Sequence, residues 1–404
     1  MEIGFQQSFG GRLGRSIDFG RVSKCSRRKN VVVSLIPTGG TTPCVIRVIG
    51  VGGGGGNAVN RMVGCVDDVE FWSVNTDSQA LKSSLADNKC DIGEFLTRGL
   101  GAGGDPSMGR NAAEESKDSI MNAVSSSDLV FITAGMGGGT GSGAAPVVAR
   151  LARDAGCLTV GVVTKPFSFE GRRRLKQANE AIDSLRQHVD TLIVVSNDKL
   201  LKIVPDDTPL TEAFLVADDV LRQGVVGISE IIVKPGLVNV DFADIRSVLE
   251  NSGSALMGIG TGSGKKRAED AAAAAINSPL LEFPVESAKG IVFNITGGPN
   301  MSLHEINSAA EVIYEAVDQD ANIIFGAHVD DSLGDDMSIT IVATGFPTSP
   351  SSQVINTETE TGRYTVPTLE NFKEAIPEVA SDEFAAESPL RKRDRLANFF
   401  RNII

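Results

Sequence analysis

Two glycine-rich segments are the parts of this sequence best suited to carry chemistry. Residues 52–57 read Gly-Gly-Gly-Gly-Gly-Asn, and residues 137–143 read Gly-Gly-Gly-Thr-Gly-Ser-Gly. Each follows a short apolar run that predicts a strand, and each precedes a segment able to form a helix. A strand, a glycine loop and a helix in this order direct backbone N–H groups and a helix N-terminus at a phosphate. Two such loops in one domain predict a di- or triphosphate that is held from both sides.

The first glycine segment also allows a different interpretation. Gly50, Gly52 and Gly55 satisfy the G-x-G-x-x-G pattern, and Asp77 follows the next predicted strand, so an NAD-dependent oxidoreductase is one alternative. A run of five glycines fits many patterns, however, and this interpretation leaves the second segment unexplained. The Walker A pattern is absent, because residues 262–266 lack both its spacing and its Ser or Thr. Without a Walker lysine, backbone amides, helix dipoles and a metal ion must balance the phosphate charge.

The elements that must position these loops follow from the hydrophobic pattern of residues 44–205. Short β-branched runs alternate there with helix-compatible stretches, which is typical of a parallel sheet with helices on both faces. Ligands of such sheets bind at the carboxyl ends of the strands, where both glycine segments fall. The predicted strands are 45–49, 69–74, 129–132, 158–164 and 191–196.

A long helix and a smaller α/β unit are predicted next. Apolar residues recur at spacings of three and four between Pro209 and Ile228, which gives one apolar stripe. After this helix, a second unit extends to about Phe346, with a helix near residues 271–275. Its predicted strands are 256–259, 290–296, 323–329 and 337–343.

Composition limits the classes of function. The net charge of −13 argues against nucleic-acid binding, and no apolar run has the length of a membrane span, so we expect a soluble body without a nucleic-acid partner. The five cysteines form no C-x-x-C pair and the three histidines show no ligand spacing. We therefore predict reduced thiols and no metal site made of protein ligands.

The two ends of the chain differ from its middle. Residues 1–43 hold 7 basic and 2 acidic groups with interspersed serines, which predicts either an organelle transit peptide or a basic arm. Residues 347–388 hold 8 acidic and 2 basic groups and predict a disordered linker. Residues 389–404 are basic, with apolar residues at helical spacing, so they predict a peptide that binds a membrane surface or a membrane-tether protein.

Several motifs together resemble one family. Residues 138–143 resemble the tubulin signature loop, and residues 239–244 resemble the catalytic loop of FtsZ, the tubulin-like division GTPase. Residues 101–103, 166–171 and 197–201 match further motifs in the family's order. The resemblance covers about residues 45–346. It departs from the usual pattern at Asp105, where Asn is common, and at Ser196, where Pro is common.

The resemblance implies an α/β fold in which a tubulin-like parallel-sheet GTPase domain is joined by a long central helix to a smaller α/β domain, with disordered tails. The implied parts are a basic extension 1–43, a GTP-binding domain 44–208, a central helix and connection 209–236, a carboxyl-terminal domain 237–346, a linker 347–388 and a terminal peptide 389–404.

The resemblance also implies a site for GTP or GDP with Mg²⁺. Phe214 and Asp218 share a helix face, so a ring could stack on a base while a carboxylate accepts the guanine donors. Asn197 could complete that edge, although Phe214 would serve equally well as a core residue. The implied GTP-binding residues are Gly53, Gly54, Gly55, Gly56, Asn57, Ala102, Gly103, Gly139, Thr140, Gly141, Glu170, Arg174, Asn197, Phe214 and Asp218.

By the same resemblance, Asn239, Asp241 and Asp244 form a catalytic loop that enters the nucleotide site of the next subunit. The implied protein is a self-assembling GTPase that forms a homopolymer, or a copolymer with a paralogue, and builds a division ring. The middle of the chain resembles plastid and cyanobacterial members, so the expected location is the plastid stroma, with a bacterial cytoplasm as the alternative. A tubulin-like scaffold that does not hydrolyse GTP is a third possibility, disfavoured by the presence of both aspartates.

Overall fold

The computed structural model describes residues 44–346 except residues 67, 201–208, 235–239, 282, 319 and 331–332. The predicted amino-terminal extension, acidic linker and terminal peptide therefore lie outside the described residues, as does Asn239. Among the described residues, no helix combines the length and the hydropathy that a membrane crossing requires.

Ten strands form one sheet in the order β3-β2-β1-β4-β5-β6-β7-β10-β8-β9. Strands β1 to β6 are parallel, while β10 runs antiparallel to both β7 and β8. The strands are β1 Ile46–Val51, β2 Val69–Asn75, β3 Asn88–Asp91, β4 Leu129–Gly135, β5 Leu158–Lys165, β6 Thr191–Ser196, β7 Gly253–Ser263, β8 Gly290–Gly297, β9 Asn322–Val329 and β10 Asp336–Thr344.

Twelve α-helices are found in the described part of the chain. They are α1 Gly52–Met62, α2 Ser78–Ser83, α3 Glu94–Thr97, α4 Pro106–Glu115, α5 Lys117–Val124, α6 Thr140–Asp154, α7 Arg172–Arg186, α8 Asn197–Leu200, α9 Leu210–Val233, α10 Phe242–Leu249, α11 Arg267–Ile276 and α12 Leu303–Glu315.

Side-chain alternation along the parallel strands gives the sheet two apolar faces. Ile46 and Val48 of β1 belong to one buried cluster with α1 and α9, while Ile49 and Val51 belong to another with α5, α6 and α7. A third cluster lies between β8, β10, α11 and α12. The prediction of a parallel sheet with helices on both faces and a second α/β unit is confirmed.

The glycine segments differ from the predicted loops. Helix α1 begins at Gly52, which has a positive φ of 73°, and α6 begins at Thr140. Gly53 to Gly56 and Gly141 to Gly143 are therefore helical and do not precede the helices. Glycine has low intrinsic helix propensity, and tertiary contacts overrode it here. The central helix α9 also continues five residues beyond Ile228, to Val233.

Parallel strands carry both glycine helices to one edge of the sheet. β1 and β4 pair in register from Ile46 opposite Leu129 to Val51 opposite Ala134. Their carboxyl ends therefore lie side by side, and α1 and α6 start next to one another. Helix α9 spans about 36 Å at 1.5 Å per residue and covers α1 and β5 before reaching the strands of the second unit.

Candidate nucleotide-binding site

Some glycines of the two segments are required for close packing. A Cβ on Gly55 would overlap the carbonyl oxygen of Thr133, and one on Gly141 would lie 2.6 Å from the carbonyl oxygen of Gly135. Gly56 is buried as well, against β2. Gly55 and Gly141 therefore allow α1 and α6 to pack closely against strands, whereas a Cβ on Gly56 would only touch the hydroxyl of Ser73 at 3.4 Å.

Other glycines face open space. A Cβ added to Gly53, Gly138 or Gly103 would meet no atom within 4 Å, and Gly53 is exposed. Gly54 lines a cleft of about 320 Å³. Because the backbone is bare on this side, a ligand can approach main-chain N–H groups directly.

Both helix N-termini point donors at this bare surface. Neither α1 nor α6 has a side-chain cap on its first N–H groups, so these donors and the positive ends of two helix dipoles are available to an anion. The hydroxyl of Thr140, the first residue of α6, lies 2.6 Å from the hydroxyl of Thr76. This contact joins α6 to the carboxyl end of β2.

The loop before α4 closes one side of the site. A Cβ on Gly139 would lie 2.9 Å from the Cβ of Ala102, so the loop packs directly on the N-terminus of α6. Gly103 adopts a positive φ of 60°. Asp105, at the position where the family pattern usually has Asn, caps α4 by accepting the N–H of Ser107 at 2.9 Å. Its two hydrogen bonds from Ser107 lower the pKa of this carboxyl.

The opposite end of the cleft has the features of a base site. Phe214, Asp218 and Asn197 all line it. Phe214 is 40% exposed although it belongs to the apolar stripe of α9, and its ring meets that of Phe167 edge to face at 5.4 Å. Asn197 is buried, and its Oδ1 has no hydrogen-bond partner. A buried orphan acceptor beside an exposed ring fits a planar ligand with polar edges.

Asp218 is the most electrostatically perturbed residue of the cleft. Burial raises the pKa of its carboxyl to about 6, against the opposing effect of Arg61. The Nε of Arg61 lies 3.5 Å from Oδ2 of Asp218. The effect of desolvation on the pKa therefore exceeds that of Arg61. Hydrogen-bond donors of a ligand would stabilise the ionised carboxylate at this position.

A third segment borders the cleft between its two ends. Glu170 and Arg174 both line it and form an ion pair of 2.6 Å. They are four residues apart but do not share a helix, because Gly171, with a φ of 104°, separates the 3₁₀ turn of Glu170 from α7. Glu170 also accepts the N–H of Phe167 at 2.9 Å, which fixes the turn.

The acidic residues of the resembled catalytic loop lie elsewhere in the chain. Asp241 precedes α10 and Asp244 lies in its first turn; both are exposed. Neither lines the cleft. The other end of α10 contacts the beginning of β6, where the hydroxyl of Thr191 donates to the carbonyl of Leu249.

Most predicted binding residues are therefore brought to one site. Gly54, Asn57, Glu170, Arg174, Asn197, Phe214 and Asp218 line the cleft. Gly53, Ala102, Gly103, Gly139 and Thr140 continue it around the two helix N-termini, whereas Gly55, Gly56 and Gly141 support it from beneath.

Sequence reasoning assigned no role to Arg61, Thr76 or Phe167, which contact Asp218, Thr140 and Phe214. Each had a signal, and Phe167 lies within the motif 166–171. Arg61 lies four residues after Asn57, and Thr76 directly follows β2 at the carboxyl edge. Asp77, which belongs to the alternative NAD pattern, accepts the N–H groups of Gln79 and Ala80 through Oδ1 and so caps α2.

The residues present fit a nucleoside di- or triphosphate. Bare glycines and uncapped helices suit the phosphates, and the exposed ring with the orphan amide and the carboxylate suits a base. No group of three or more potential metal-ligating side chains occurs among the described residues.

Comparisons with known families agree with this geometry. The model of the Tubulin/FtsZ family GTPase domain matches residues 45–205, and that of the FtsZ family C-terminal domain matches residues 253–347. The two matches together cover more than half of the chain.

Solved structures resemble the chain over most of their length. An empty FtsZ dimer from M. jannaschii is 45% identical, with a TM-score of 0.73 over 75% of this chain and 89% of that one. A mutant FtsZ from M. jannaschii is 44% identical, with a TM-score of 0.73 over 75% and 92%. A GTPγS-bound protofilament of CetZ2 from Haloferax volcanii shares the fold at 20% identity, with a TM-score of 0.63 over 76% and 94%.

Proposed function

This chain belongs to the Tubulin/FtsZ family, and on that premise we propose that it hydrolyses GTP in a site completed by head-to-tail assembly. Each subunit contributes the nucleotide cleft, and its neighbour contributes Asp241 and Asp244. The product would be a protofilament with one nucleotide at each junction.

The separation of the acidic residues from the cleft carries this proposal. Asn197 follows the last residue of β6, whereas α10 contacts the first one, Thr191. Six strand residues place Asn197 roughly 17 Å from the carboxyl-terminal end of α10, and Asp241 and Asp244 lie at the other end of that helix. Because neither carboxylate lines the cleft of its own subunit, we infer that a nucleotide on which they act belongs to another subunit. The names of the relatives, a dimer and a protofilament, are in keeping with such an arrangement.

The chemistry suits a loop that arrives only on assembly. Hydrolysis requires a water aligned with the γ-phosphorus and an acceptor for its proton, and phosphoryl transfer depends on positioning and charge stabilisation. The carboxylates of Asp241 and Asp244 would orient that water, while N–H groups of α1 and α6 hold the phosphates. Mg²⁺ bound with GTP would neutralise part of the phosphate charge.

We further propose guanine as the base. N1–H and N2–H₂ of guanine donate in parallel, and a carboxylate at Asp218 can accept both, while adenine lacks this donor pair. Phe214 would stack on the ring and Asn197 would meet its remaining polar edge.

At the level of the cell, we propose a role in a division ring, in a plastid or in a bacterial cytoplasm. The motifs of the chain and its basic leader favour the plastid stroma. Residues 389–404, outside the described residues, would attach the polymer to a membrane or a tether protein, and a paralogue could share the filament.

Sedimentation with measured phosphate release tests the biochemical proposal. The full-length protein with GTP and Mg²⁺ should pellet and release phosphate, while ATP should cause neither. Pelleting without phosphate release would instead support a scaffold that does not hydrolyse GTP. Binding of NAD without pelleting would support the oxidoreductase alternative.

A further inference from the structure

We propose that Arg61 is a positioning residue whose positive charge keeps Asp218 ionised, so that Asp218 can accept the donors of the guanine base. Recognition of the base then depends on the charge of Arg61. The inference rests on the proposed GTP-binding function. It gives a role to a side chain that the sequence motifs of the site leave unassigned.

The position of Arg61 links both ends of the nucleotide site. Helix α1 begins with Gly52 to Gly54 at the phosphate end and reaches Arg61 in its last turn. There the Nε of Arg61 lies 3.5 Å from Oδ2 of Asp218 on α9. The two side chains are 31% and 21% exposed, so a large part of their interaction is shielded from solvent.

The contact leaves the carboxylate able to bind a ligand. Arg61 approaches Oδ2 alone, and 3.5 Å is longer than a strong charge-assisted hydrogen bond. Asp218 can therefore present an oxygen to the cleft, which it lines together with Asn57. Arg61 itself is not among the lining residues, so it acts through Asp218.

Ionisation decides whether Asp218 can recognise guanine. A carboxylate accepts from N1–H and N2–H₂, whereas a protonated carboxyl carries a hydrogen of its own and loses one acceptor. Burial raises the pKa of Asp218 to about 6, and the charge of Arg61 opposes this rise. Without Arg61, the same burial would extend the neutral form to higher pH.

Other charges near Asp218 have partners of their own. Across the cleft, Glu170 pairs with Arg174 at 2.6 Å. On α9, Asp219 pairs with Arg222 at 2.7 Å. Among the described residues, Arg61 is the cation that contacts Asp218, which makes Arg222 a matched control on the neighbouring pair.

The test measures GDP binding by calorimetry between pH 5 and pH 8.5 for the full chain and three variants, R61Q, R61K and R222Q. GDP avoids hydrolysis, and titration of its phosphates cancels when each variant is compared with wild type. With a pKa of about 6, roughly one tenth of Asp218 is ionised at pH 5, so protonation of Asp218 alone should lower wild-type affinity about tenfold from its plateau, in addition to the effect of the GDP phosphates.

For R61Q, the loss of affinity should begin at higher pH, so that the ratio of its Kd to the wild-type Kd grows as pH falls from 8.5 to 6.5. R61K should restore most of the wild-type dependence of Kd on pH. R222Q, the control, should show the wild-type Kd at every pH. A ratio for R61Q that is the same at every pH would reduce Arg61 to a structural role and overturn the inference. Folded wild-type protein that binds no GDP at any pH would overturn the GTPase assignment itself, and this inference with it.

Discussion

Gly53 and Gly55 lie two positions apart in one helix but serve different purposes. A Cβ on Gly53 meets open space, whereas one on Gly55 would overlap the backbone of β4. Gly53→Ala should leave the free energy of unfolding unchanged or raise it by up to about 1 kcal/mol, since alanine favours helix. Gly55→Ala should lower it by about 1–3 kcal/mol through overpacking. Chemical denaturation of nucleotide-free protein measures both, and equal effects would contradict the division of the glycines.

Asp218 is expected to select the base. Asp218→Ala should weaken GTP binding by roughly 1–3 kcal/mol, because the guanine donors lose a charged acceptor, and should leave the weaker binding of ATP nearly unchanged. Asp219→Ala is the matched control, since Asp219 pairs with Arg222 along α9. Equal losses for GTP and ATP would mean that Asp218 supports the fold and does not read the base.

At the residue scale, the motifs predicted most of the residues that form the cleft, but they did not predict what each residue does there. Gly55 and Gly53 look alike in sequence, and their difference arises only from the neighbouring strand. Arg61 is an unremarkable surface residue in the helical pattern until α9 places Asp218 beside it. Contacts between elements distant in sequence cannot be read from spacing within one element.

At the scale of elements, a partly buried ion pair joins the helices of the second unit. Arg267 is 5% exposed and donates to both carboxylate oxygens of Glu305, at 2.7 and 3.1 Å. It also contacts Asn300 and the carbonyl of Asp335. One side chain thus connects the start of α11, the start of α12 and the turn before β10.

The ion pair between Arg267 and Glu305 should make the free energy of unfolding depend on pH in the acidic range. The hydrogen bond from Arg267 lowers the pKa of Glu305 to about 2, from 4.5. Its stabilisation is therefore complete above about pH 4.5 and is lost as pH falls toward 2. At pH 6, Glu305→Gln should reduce the free energy of unfolding by about 1–3 kcal/mol. The difference from wild type should shrink at pH 3; a difference independent of pH would show that the charge of Glu305 contributes nothing.

Strands were easier to predict than helices for a physical reason. β6 was predicted with its observed bounds and β8 within one residue. Short buried runs of β-branched residues favour strands over helices, so their pattern is easy to interpret. The glycine start of α1 was predicted as a loop, since its helix depends on packing against β1 and β4. Short polar helices such as α2 and α4 were not located, although Asp77 and Asp105 are N-cap signals at their starts.

At the scale of the whole molecule, the two predicted units share one sheet. β7 pairs with β6 through Gly253 to Ala255 and then turns to pair with β10 from Leu256 onward. The pairing between β6 and β7 covers only three residues, and so short a pairing leaves no pattern in the sequence from which it could be predicted. Continuity of the sheet and the long helix α9 connect the cleft to the part of the chain that holds Asp241 and Asp244.

The carboxyl-terminal peptide, which lies outside the described residues, should attach the polymer without affecting its chemistry. Deletion of residues 389–404 should leave GTP hydrolysis and polymerisation within about twofold of wild type and abolish recruitment to the division site, because its basic and apolar residues suit an anionic surface. Fluorescence microscopy of cells that contain only the truncated protein is the measurement. Rings at the correct position in those cells would rule out this anchor.

The claim that two subunits build one active site is tested most directly by mixing two inactive variants. Asp244→Ala keeps the cleft, whereas Gly138→Asp places a carboxylate among the phosphate-binding amides at a position where a Cβ meets no neighbour. Alone, each variant should hydrolyse GTP at least about a hundredfold more slowly than wild type. Phosphate release should recover when they are mixed and co-sediment, since the cleft of the first meets the intact acidic loop of the second. Mixed filaments that remain inactive, or full activity of Asp244→Ala alone, would contradict a site shared between subunits.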